Sequence, residues 1–439
     1  MSKKKPTLAV VGIGYVGLPL ALLAAEKKWR VIGIDINKEK VSQVNSQEMP
    51  FKDDIIAEQL RRFPIEASSD FSRVSEAQVV VVAVPTPVKD THIPDLAPLI
   101  SAVTGIRPYL QAGQVLVVES TINPGVMDEV VLPILRERKD LILDSDSNDA
   151  SALRIAHCPE RINPGDKKWT VRNIPRVLGG YTPTGTQAAR EFYESIIEAP
   201  IKPLASIQEA EACKILENTF RDVNIAFINE MAKSFQKLNI DILHVIEGAA
   251  TKPFAFMPHY PGNGVGGHCI SVDPYYMIER GRLAGFDHIF LKMAREINNG
   301  MPAYAVNLLH RGCETAHLPL ESLSVALLGL AYKKNIDDLR ESPAIEIMHM
   351  LKKAYPDVKV YDPFAPSLST VASLEEATQG VSAVMLATDH TEFVETLTPA
   401  YLKSHGIKIV IDGRNALDGI SISKQGIYYY GIGRQYLPV

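Results

Sequence analysis

A cysteine that follows a glycine-rich segment is the residue of this sequence most suited to nucleophilic chemistry. Cys269 comes directly after residues 261–268, which read PGNGVGGH. Glycine permits positive φ and close approach of a ligand, so such a segment exposes a thiol that bulkier residues would cover. Thiolates attack carbonyl carbons well, and a nearby cation or helix N-terminus lowers the thiol pKa. Cys269, with His268 before it and Asp273 soon after it, is therefore the predicted nucleophile.

The remaining cysteines carry weaker signals. Cys213 and Cys313 have the pattern of inert packing residues, and Cys158, which precedes Pro159 and Glu160, is a weaker candidate nucleophile. The four cysteines show neither CxxC pairs nor the spacing of a zinc site, so no metal site is predicted. Cysteine usage of this kind is typical of a reduced, cytoplasmic protein.

A second chemical signal lies near the N-terminus, where Gly12, Gly14 and Gly17 form a GxGxxG pattern between a β-prone run and a helix-prone run. In dinucleotide-binding folds the first glycine allows a tight turn, the second lets the backbone approach a pyrophosphate, and the third lets helix and strand pack closely. The helix N-terminus then offers N–H groups and partial positive charge to the phosphates. The pattern predicts a dinucleotide site.

The type of dinucleotide is indicated by Asp35, which ends the next apolar run. A carboxylate at this place accepts hydrogen bonds from the adenosine ribose and would repel a 2′-phosphate. NAD is therefore the predicted cofactor rather than NADP. Two nearby cations, Lys38 and Lys40, weaken that preference.

The N-terminal segment admits a different interpretation, because residues 7–25 carry no charge and follow the basic start MSKKK. Secretory signals and membrane spans share this pattern. However, the strand pattern continues beyond it, since residues 79–84 and 115–118 are apolar, β-prone runs that end before PTP and EST. Buried parallel strands have this composition, and ligands bind where their carboxyl ends meet loops. We therefore interpret residues 7–25 as the first strand and helix of a nucleotide-binding domain.

A dinucleotide site combined with a nucleophilic cysteine indicates a four-electron oxidation of an alcohol. The Cys269 thiol would add to the aldehyde formed first, the thiohemiacetal would lose a second hydride, and water would cleave the thioester to an acid. This chemistry needs a cation for the developing oxyanion, a base and a positioned water. The candidates are Lys214 and Asn218 for the oxyanion, Asp273 or Glu160 as the base, and Thr121 as a hydroxyl that holds water.

The C-terminal part repeats the alternation of strands and helices. Strand-like runs at 324–330, 358–361, 381–387 and 408–411 accompany a helix-like run at 344–354. Its glycine pattern is reduced to Gly-Leu-Ala, so a different ligand is expected there. Cations at the predicted strand ends suit a phosphorylated ligand, unless they are ordinary solvated charges. These cations are Lys333, Lys334, Arg340 and Arg414.

Between the two halves, from residue 206 to 312, the strand signals stop. Spacings of three and four predict a long amphipathic helix with one buried apolar stripe. That stripe consists of Leu216, Phe220, Val223, Phe227 and Met231. Another face, which is either the solvated side or a set presented to ligands, carries Lys214, Glu217, Asn218 and Arg221.

Length and composition limit the remaining possibilities. The chain has 439 residues, 46% of them hydrophobic, which predicts two or three domains and excludes a disordered chain or a disulfide scaffold. With a formal net charge of −5, the chain has no overall positive potential that would attract nucleic acid or an anionic membrane. We therefore expect neither nucleic acid nor a membrane as a partner.

Several longer motifs occur along the chain, in the order GIGYVGLPLA, VPTP, ESTINPG, HCPERINPGDKK, KILENTFRDVNIAFINE, GVGGHCISVDPYY, AYKKNIDDLRESPA and DGRNAL. Over almost the full length, the chain thereby resembles the UDP-glucose/GDP-mannose 6-dehydrogenase family. The resemblance implies an α/β fold with two doubly wound Rossmann-like domains and a homodimer or larger homo-oligomer. The implied parts are an NAD-binding domain (1–205), a central helical dimerisation region with the cysteine loop (206–315) and a UDP-sugar-binding domain (316–439).

The resemblance also implies roles for the matching residues. Cys269 would form the thioester, Lys214 and Asn218 would contact the reacting oxygen, Asp273 would assist base chemistry, and Thr121 would lie beside the nicotinamide. The implied cofactor contacts are Gly12, Gly14, Tyr15, Val16, Gly17, Asp35, Lys40, Thr86, Thr121 and Arg340. The implied substrate contacts are Arg161, Lys214, Asn218, Arg221, Gly266, Tyr332, Lys333 and Arg414.

One departure from the family pattern concerns the base for thioester hydrolysis. UDP-glucose enzymes carry a second glutamate shortly after the first, whereas here Glu160 is followed by RINP. The base therefore stays open between Glu160 and a water held by Asp273.

The choice of substrate rests on resemblance alone. ERINPGD and PGNGVGGHCISVDPYY resemble the branch that acts on UDP-N-acetylhexosamines, and ATKPFAFMPHYPG favours UDP-N-acetylglucosamine over its manno epimer. UDP-N-acetylmannosamine and UDP-glucose are the nearer alternatives. A two-electron NAD hydroxyacid dehydrogenase, with Lys214 acting on a substrate oxygen and Cys269 structural, and a non-catalytic nucleotide-binding module are more distant ones.

Overall fold

The computed structural model describes residues 5–51, 53–87, 94–145, 149, 151–162, 168–267 and 270–438. The chain forms two compact units, a first unit of residues 1–217 with 275–285 and a second unit of residues 218–274 with 286–439. Each contains a mainly parallel sheet with helices, so the predicted α/β class with two doubly wound sheets is confirmed. The three-part division at residues 205 and 315 stays a prediction.

The first sheet has the strand order β3-β2-β1-β4-β5-β6-β7-β8, and β6 pairs with β7 antiparallel. The elements as far as residue 237 are β1 (Thr7–Val11), α1 (Gly17–Glu26), β2 (Arg30–Ile34), α2 (Lys38–Asn45), α3 (Asp54–Arg62), β3 (Glu66–Ser68), β4 (Val79–Val82), α4 (Ala97–Ile106), β5 (Val115–Val118), α5 (Leu132–Arg136), β6 (Arg154–His157), β7 (Arg176–Gly180), α6 (Pro183–Ile196), β8 (Ile201–Pro203) and α7 (Ile207–Lys237).

The second sheet has the order β10-β9-β11-β12-β13-β14, and β14 pairs with β13 antiparallel. The remaining elements are α8 (Ile242–Ala250), α9 (Asp273–Leu283), α10 (Ile289–Asn299), α11 (Met301–Thr315), β9 (Ser324–Leu328), α12 (Pro343–Ala354), β10 (Asp357–Tyr361), α13 (Leu374–Thr378), β11 (Ala383–Leu386), α14 (Thr391–Thr396), α15 (Pro399–Ser404), β12 (Ile409–Asp412), α16 (Gly419–Ser423), β13 (Tyr428–Gly431) and β14 (Arg434–Tyr436).

The core strands of the first unit form where the sequence is continuously apolar and β-branched. β4 consists of four valines, and it and β5 are buried along their whole length. Strands covered on both faces by helices have this composition. α1 buries residues 17–24, which confirms that the uncharged N-terminal segment is the first strand and helix of a sheet. Among the described residues, no helix combines the length and the hydropathy needed to cross a bilayer.

The predicted internal repeat is also confirmed. The run β10-β9-β11-β12 in the second sheet has the same order as β2-β1-β4-β5 in the first. Between β8 and β9 the described residues form helices and loops without a strand. Asp362, which follows β10, therefore occupies the place that Asp35 holds after β2.

The prediction of a buried apolar stripe along α7 is wrong for three of its five members, since only Val223 and Met231 are half-buried. Leu216, Phe220 and Phe227 are 71%, 44% and 54% exposed. On the polar side of the helix, Lys214 and Asn218 are buried instead, at 8% and 7% exposed, whereas Arg221 is exposed. The spacing therefore predicts the helix correctly, but it does not predict which side chains of the helix are buried.

Polar side chains of α7 are buried where they have specific hydrogen-bond partners. In the first unit, Glu211 accepts hydrogen bonds from the backbone N–H groups of Gly125 at 2.7 Å and Met127 at 2.9 Å. In the second unit, Asp222 accepts one from Arg295 at 2.6 Å. Buried polar groups are tolerated when such partners replace water. These partners lie far along the chain, which is why helical spacing alone could not identify them.

The Glu211 carboxylate makes stability depend on pH. Burial raises its pKa from 4.5 to about 7, against the opposing effect of the two backbone N–H groups. A carboxyl group whose pKa is raised by folding stabilises the native state while it is protonated. This contribution is complete below pH 4.5 and is lost as the pH rises to about 7.

We therefore predict that Glu211→Gln lowers the melting temperature overall. Between pH 5 and 8, however, the melting temperature of the variant should fall less than that of the wild type. The measurement is thermal unfolding across that pH range. Glu230→Gln is the matched control, because Glu230 is exposed on the same helix and should leave the pH dependence unchanged. Parallel pH profiles for Glu211→Gln and the wild type would contradict the assignment.

Candidate active site

The turn between β1 and α1 has the geometry of a pyrophosphate cradle. Gly12 has a φ of +93°, and a Cβ there would lie 2.6 Å from the carbonyl oxygen of Ala83. A Cβ on Gly17 would lie 1.9 Å from the carbonyl oxygen of Gly12, so helix and turn pack too closely for a side chain. At Gly14 nothing lies within 4 Å of the same position, which leaves room for a ligand against the backbone. The three glycines thus fit an NAD pyrophosphate.

Asp35 lies beside this cradle at the end of β2. Its Oδ2 accepts a hydrogen bond from the backbone N–H of Ile13 at 3.2 Å and pairs with Lys40 Nζ at 2.9 Å. Lys40, a predicted cofactor contact, is therefore engaged by the carboxylate. Near the cradle, Tyr15 is half exposed, and its ring centroid lies 4.2 Å from that of Phe51.

The ends of β4 and β5 bring two predicted cofactor residues together. Thr86 Oγ1 donates to the carbonyl oxygen of Thr121 at 2.6 Å, and Ser120 Oγ donates to that of Val84 at 2.7 Å. Tyr276, which returns to the first unit on α9, donates to the carbonyl oxygen of Thr86 at 2.6 Å. These bonds hold the two strand-end loops in one arrangement.

Beneath these loops lies a buried charge cluster that sequence reasoning missed. Arg176, fully buried at the start of β7, donates to Glu119 Oε1 at 2.9 Å and to Glu160 Oε2 at 2.5 Å. Tyr193 OH also donates to Glu119 Oε1 at 2.6 Å. One guanidinium therefore ties the loop after β5 to the loop after β6. The motifs ESTINPG and HCPERINPGDKK and the candidate base Glu160 indicated this region, but no pattern in the sequence indicated Arg176.

Burial and the charges of this cluster shift the pKa values of the groups within it. Burial raises the pKa of Glu119, and the nearby Glu160 raises it further, while Arg176 and Tyr193 oppose the shift. Burial likewise raises the pKa of the Cys158 thiol to about 12, so this cysteine is not a nucleophile at neutral pH. Burial also raises the thiol pKa of Cys313, to about 11, which agrees with the inert role expected for it.

Glu160 is a heavily engaged carboxylate. Its Oε1 accepts hydrogen bonds from the backbone N–H groups of Arg161 at 2.6 Å and Ile162 at 2.7 Å, and its Oε2 accepts one from Arg176. A carboxylate offers roughly four acceptor positions, so these donors leave about one for a proton. The guanidinium of the neighbouring Arg161 pairs with Glu217 at 2.6 Å.

In the second unit, α7 and α9 bring two predicted catalytic residues together. Asn218 Nδ2 donates to Asp273 Oδ2 at 2.6 Å, and both side chains are buried. Asp273 is the first residue of α9, so its carboxylate lies at the positive end of that helix. Lys214 precedes Asn218 by about one turn of α7. Arg221, another predicted substrate contact, is exposed on the same helix.

The glycine-rich loop before the predicted nucleophile packs against the second sheet. A Cβ on Gly266 would lie 2.6 Å from Tyr332 Cβ, and Gly267 donates its N–H to the carbonyl oxygen of Arg340 at 3.0 Å. Arg414 Nη1 lies 3.4 Å from the corresponding position at Gly262. The structure thus gathers several predicted substrate contacts around one loop. His268 and Cys269 lie outside the described residues.

Buried amides anchor the start of this loop to α7. Asn229 Oδ1 accepts the N–H of Gly262 at 3.0 Å, and its Nδ2 donates to Asn298 Oδ1 at 2.9 Å. Asn298 in turn donates to Asp222 Oδ1 at 2.8 Å. Sequence reasoning missed this network, although two of its members, Asp222 and Asn229, lie within the motif KILENTFRDVNIAFINE.

The predicted cations of the second sheet are paired with acidic neighbours. Arg414 Nε lies 3.2 Å from Asp389, which is also 3.9 Å from Lys334 Nζ. Arg340 pairs with Asp338 at 2.6 Å and is exposed. Lys333 is half-buried.

Comparison with known families covers most of the chain. Residues 6–197 match the NAD binding domain of the UDP-glucose/GDP-mannose dehydrogenase family, residues 208–300 match its central domain, and residues 326–419 match its UDP binding domain.

Individual proteins show the same similarity. A UDP-N-acetyl-D-mannosamine dehydrogenase of Pyrococcus horikoshii is 34% identical over 97% of this chain and 99% of its own length. A UDP-N-acetyl-D-glucosamine 6-dehydrogenase of Pseudomonas aeruginosa is 34% identical over 88% of this chain and 91% of its own. A solved structure of a UDP-D-ManNAc dehydrogenase from Pyrococcus horikoshii superimposes with a TM-score of 0.89 at 32% identity, covering 98% of this chain and 99% of the other. The chain therefore belongs to the UDP-glucose/GDP-mannose dehydrogenase family and is an NAD-dependent UDP-sugar 6-dehydrogenase.

Proposed function

We propose that this enzyme oxidises C6 of a UDP-N-acetylhexosamine to the uronate through a thioester on Cys269. The observation that supports this most is the loop of residues 261–267, which leads to Cys269 and packs against Tyr332 beside Arg414. Such packing fits a thiol delivered to a nucleotide-bound sugar. We place the reaction in the cytoplasm, where cysteines stay reduced.

The chemistry proceeds through two oxidations and one hydrolysis. The C6 alcohol loses a proton and a hydride to give an aldehyde, and the Cys269 thiolate adds to the aldehyde carbon. The thiohemiacetal loses a second hydride to give the thioester, and water cleaves the C–S bond to release the acid and restore the thiol. NAD, when bound, supplies the hydride acceptor for each oxidation, so two NADH form per uronate.

The surrounding side chains would hold the reacting oxygen and water. Lys214 and Asn218 would stabilise the developing oxyanion, since both are buried and follow each other along α7. Asp273 accepts a hydrogen bond from Asn218 and so orients its amide. Glu160 keeps about one acceptor position and is the proposed base for hydrolysis, and Thr121 would hold the water.

The sugar is assigned at two levels. Relatives named for N-acetylmannosamine and N-acetylglucosamine substrates are equally similar, at 34% identity, which supports the N-acetylhexosamine class. Within that class we propose UDP-N-acetylglucosamine, on the similarity of the segment ATKPFAFMPHYPG. The manno epimer and UDP-glucose are the alternatives.

The apolar surface of the second unit supports a homodimer. Phe220 and Phe227 on α7 and Ile289, Phe290 and Met293 on α10 are between 44% and 68% exposed. The two helices are neighbours, since Arg295 and Asn298 of α10 bond residues of α7, and exposed apolar side chains on neighbouring helices are common at protein interfaces. We propose that these residues form the contact between two copies of the chain.

Oxidation of UDP-N-acetylglucosamine should give two NADH per uronate, measured by absorbance and product analysis. Cys269→Ala should stop acid formation, because no thioester can form. Cys213→Ala is the control and should keep near-normal turnover. A ratio of one NADH per product, or normal turnover by Cys269→Ala, would instead support a two-electron oxidation in which Cys269 is structural.

Substitutions at the two carboxylates should affect different steps. Glu160→Gln should keep the rapid formation of NADH in the first turnover but slow steady-state turnover about 100-fold, because hydrolysis loses its base. Asp273→Asn should slow the first turnover itself, because Asn218 loses its charged acceptor. Stopped-flow absorbance separates these steps, and the reverse pattern would exchange the two roles.

The proposed dimer contact predicts a change in mass. Phe227→Asp with Phe290→Asp should convert a dimer into a monomer in light scattering, because two buried charges oppose association. Ile420→Asp, at a residue that is 44% exposed on α16, is the control. An unchanged dimer would place the contact elsewhere.

A further inference from the structure

A buried imidazole in the second unit has no part in the chemistry proposed above. His390 follows β11 and is 0% exposed, and its ring stacks on Phe364 at 4.8 Å and meets the edge of Phe393 at 5.3 Å. It lies between the end of β10 and the loop after β9. That loop, residues 329–335, carries Tyr332 and Lys333, two proposed contacts of the UDP-sugar.

The ring nitrogens of His390 bridge two segments. Nε2 lies 3.1 Å from Asp362 Oδ2, and Nδ1 lies 2.8 Å from the backbone nitrogen of Asn335. A backbone N–H can only donate, so Nδ1 is the acceptor and the proton of the neutral ring sits on Nε2. His390 therefore donates to Asp362 and accepts from the loop.

Asp362 holds the other end of the same loop. Its Oδ2 also accepts the N–H groups of Leu330 at 2.6 Å and Ala331 at 2.9 Å. Burial opposes its ionisation, but the hydrogen bonds from His390, Leu330 and Ala331 outweigh burial and lower the pKa of Asp362. The carboxylate is 0% exposed, so it is an anchor for the loop and not a ligand for a ribose.

The residues next to His390 reinforce this attachment. Thr388 Oγ1 donates to the carbonyl oxygen of Ala331 at 2.5 Å, and Asn335 Nδ2 donates to Thr391 Oγ1 at 2.8 Å. Asn335 has a φ of +59°, a left-handed conformation that asparagine adopts more readily than most residues, and its side chain is held there by Thr391. Asp389 pairs with Arg414, so residues 388–391 also contact the second group of proposed substrate residues.

We propose that His390 is a positioning residue for the UDP-sugar, because it fixes the loop of residues 329–335 in the conformation that binds the nucleotide. The inference rests on the proposed function of that loop. Since His390 acts through Asn335, the accepting nitrogen matters more than the donating one. Replacing His390 therefore weakens substrate binding, and so raises KM, more than it lowers kcat.

Two substitutions separate the nitrogens. In His390→Asn the amide oxygen takes the place of Nδ1 and keeps the bond to Asn335, whereas His390→Gln keeps a donor for Asp362 and loses that acceptor. The full-length protein is titrated with UDP and, separately, with NAD by calorimetry, and KM and kcat are measured for the UDP-sugar. Thr391→Val, at an exposed residue, weakens the same loop without disturbing the core.

The expected result is that His390→Gln weakens UDP binding about tenfold and raises KM similarly, with kcat and NAD affinity kept. His390→Asn should restore UDP affinity to within threefold of the wild type, and Thr391→Val should weaken it about threefold. Equal UDP affinity in all variants, or equal loss of UDP and NAD binding in His390→Gln, would overturn the inference. Failure of the wild type to bind UDP would instead overturn the proposed function.

Discussion

The active-site loops of this enzyme depend on carboxylates that accept hydrogen bonds from main-chain N–H groups. Loops at the carboxyl ends of parallel strands have no ladder to satisfy their backbone, so each N–H needs another acceptor. Glu160 supplies one for the loop after β6, Glu211 for the turn after β5, and Asp362 for the loop after β9. Each carboxylate binds two N–H groups, which are adjacent in the chain for Glu160 and Asp362 and two residues apart for Glu211. The loops that hold ligands are thereby ordered before a ligand arrives.

The same constraint explains how two repeats of one fold come to bind different ligands. Asp35 and Asp362 follow corresponding strands, and both accept several hydrogen bonds, but they differ in exposure. Asp35 accepts the N–H groups of Ile13 and Asn37 and pairs with Lys40, yet its side chain is still partly exposed. Asp362, which accepts two loop N–H groups and His390, is 0% exposed. The first acid therefore remains available to a ribose beside the cradle of Gly14. The second carboxylate holds a loop, and we propose that the cations of that loop and Arg414 supply the ligand contacts instead.

Much of the fold could be predicted from the sequence, because buried parallel strands and a glycine turn leave local signals. β4 is a run of valines, and Gly12 and Gly17 cannot carry a Cβ in their turn. The buried polar side chains leave no comparable local pattern in the sequence. The partner of Asn218 is Asp273, far along the chain, so helical spacing does not predict that this polar side chain is buried. Arg176 is recognisable only once both of its carboxylates are known, and Cys269 remains a prediction from sequence.

The central claim is that each unit holds its own ligand, NAD on the first sheet and the UDP moiety on the second. A crystal structure of the enzyme with NAD and UDP tests it directly. The account predicts the NAD pyrophosphate against the backbone at Gly14 with the adenosine ribose on Asp35, and UDP against Tyr332, Lys333 and Arg414. Density for a dinucleotide on the second sheet, or for UDP beside Asp35, would contradict the account.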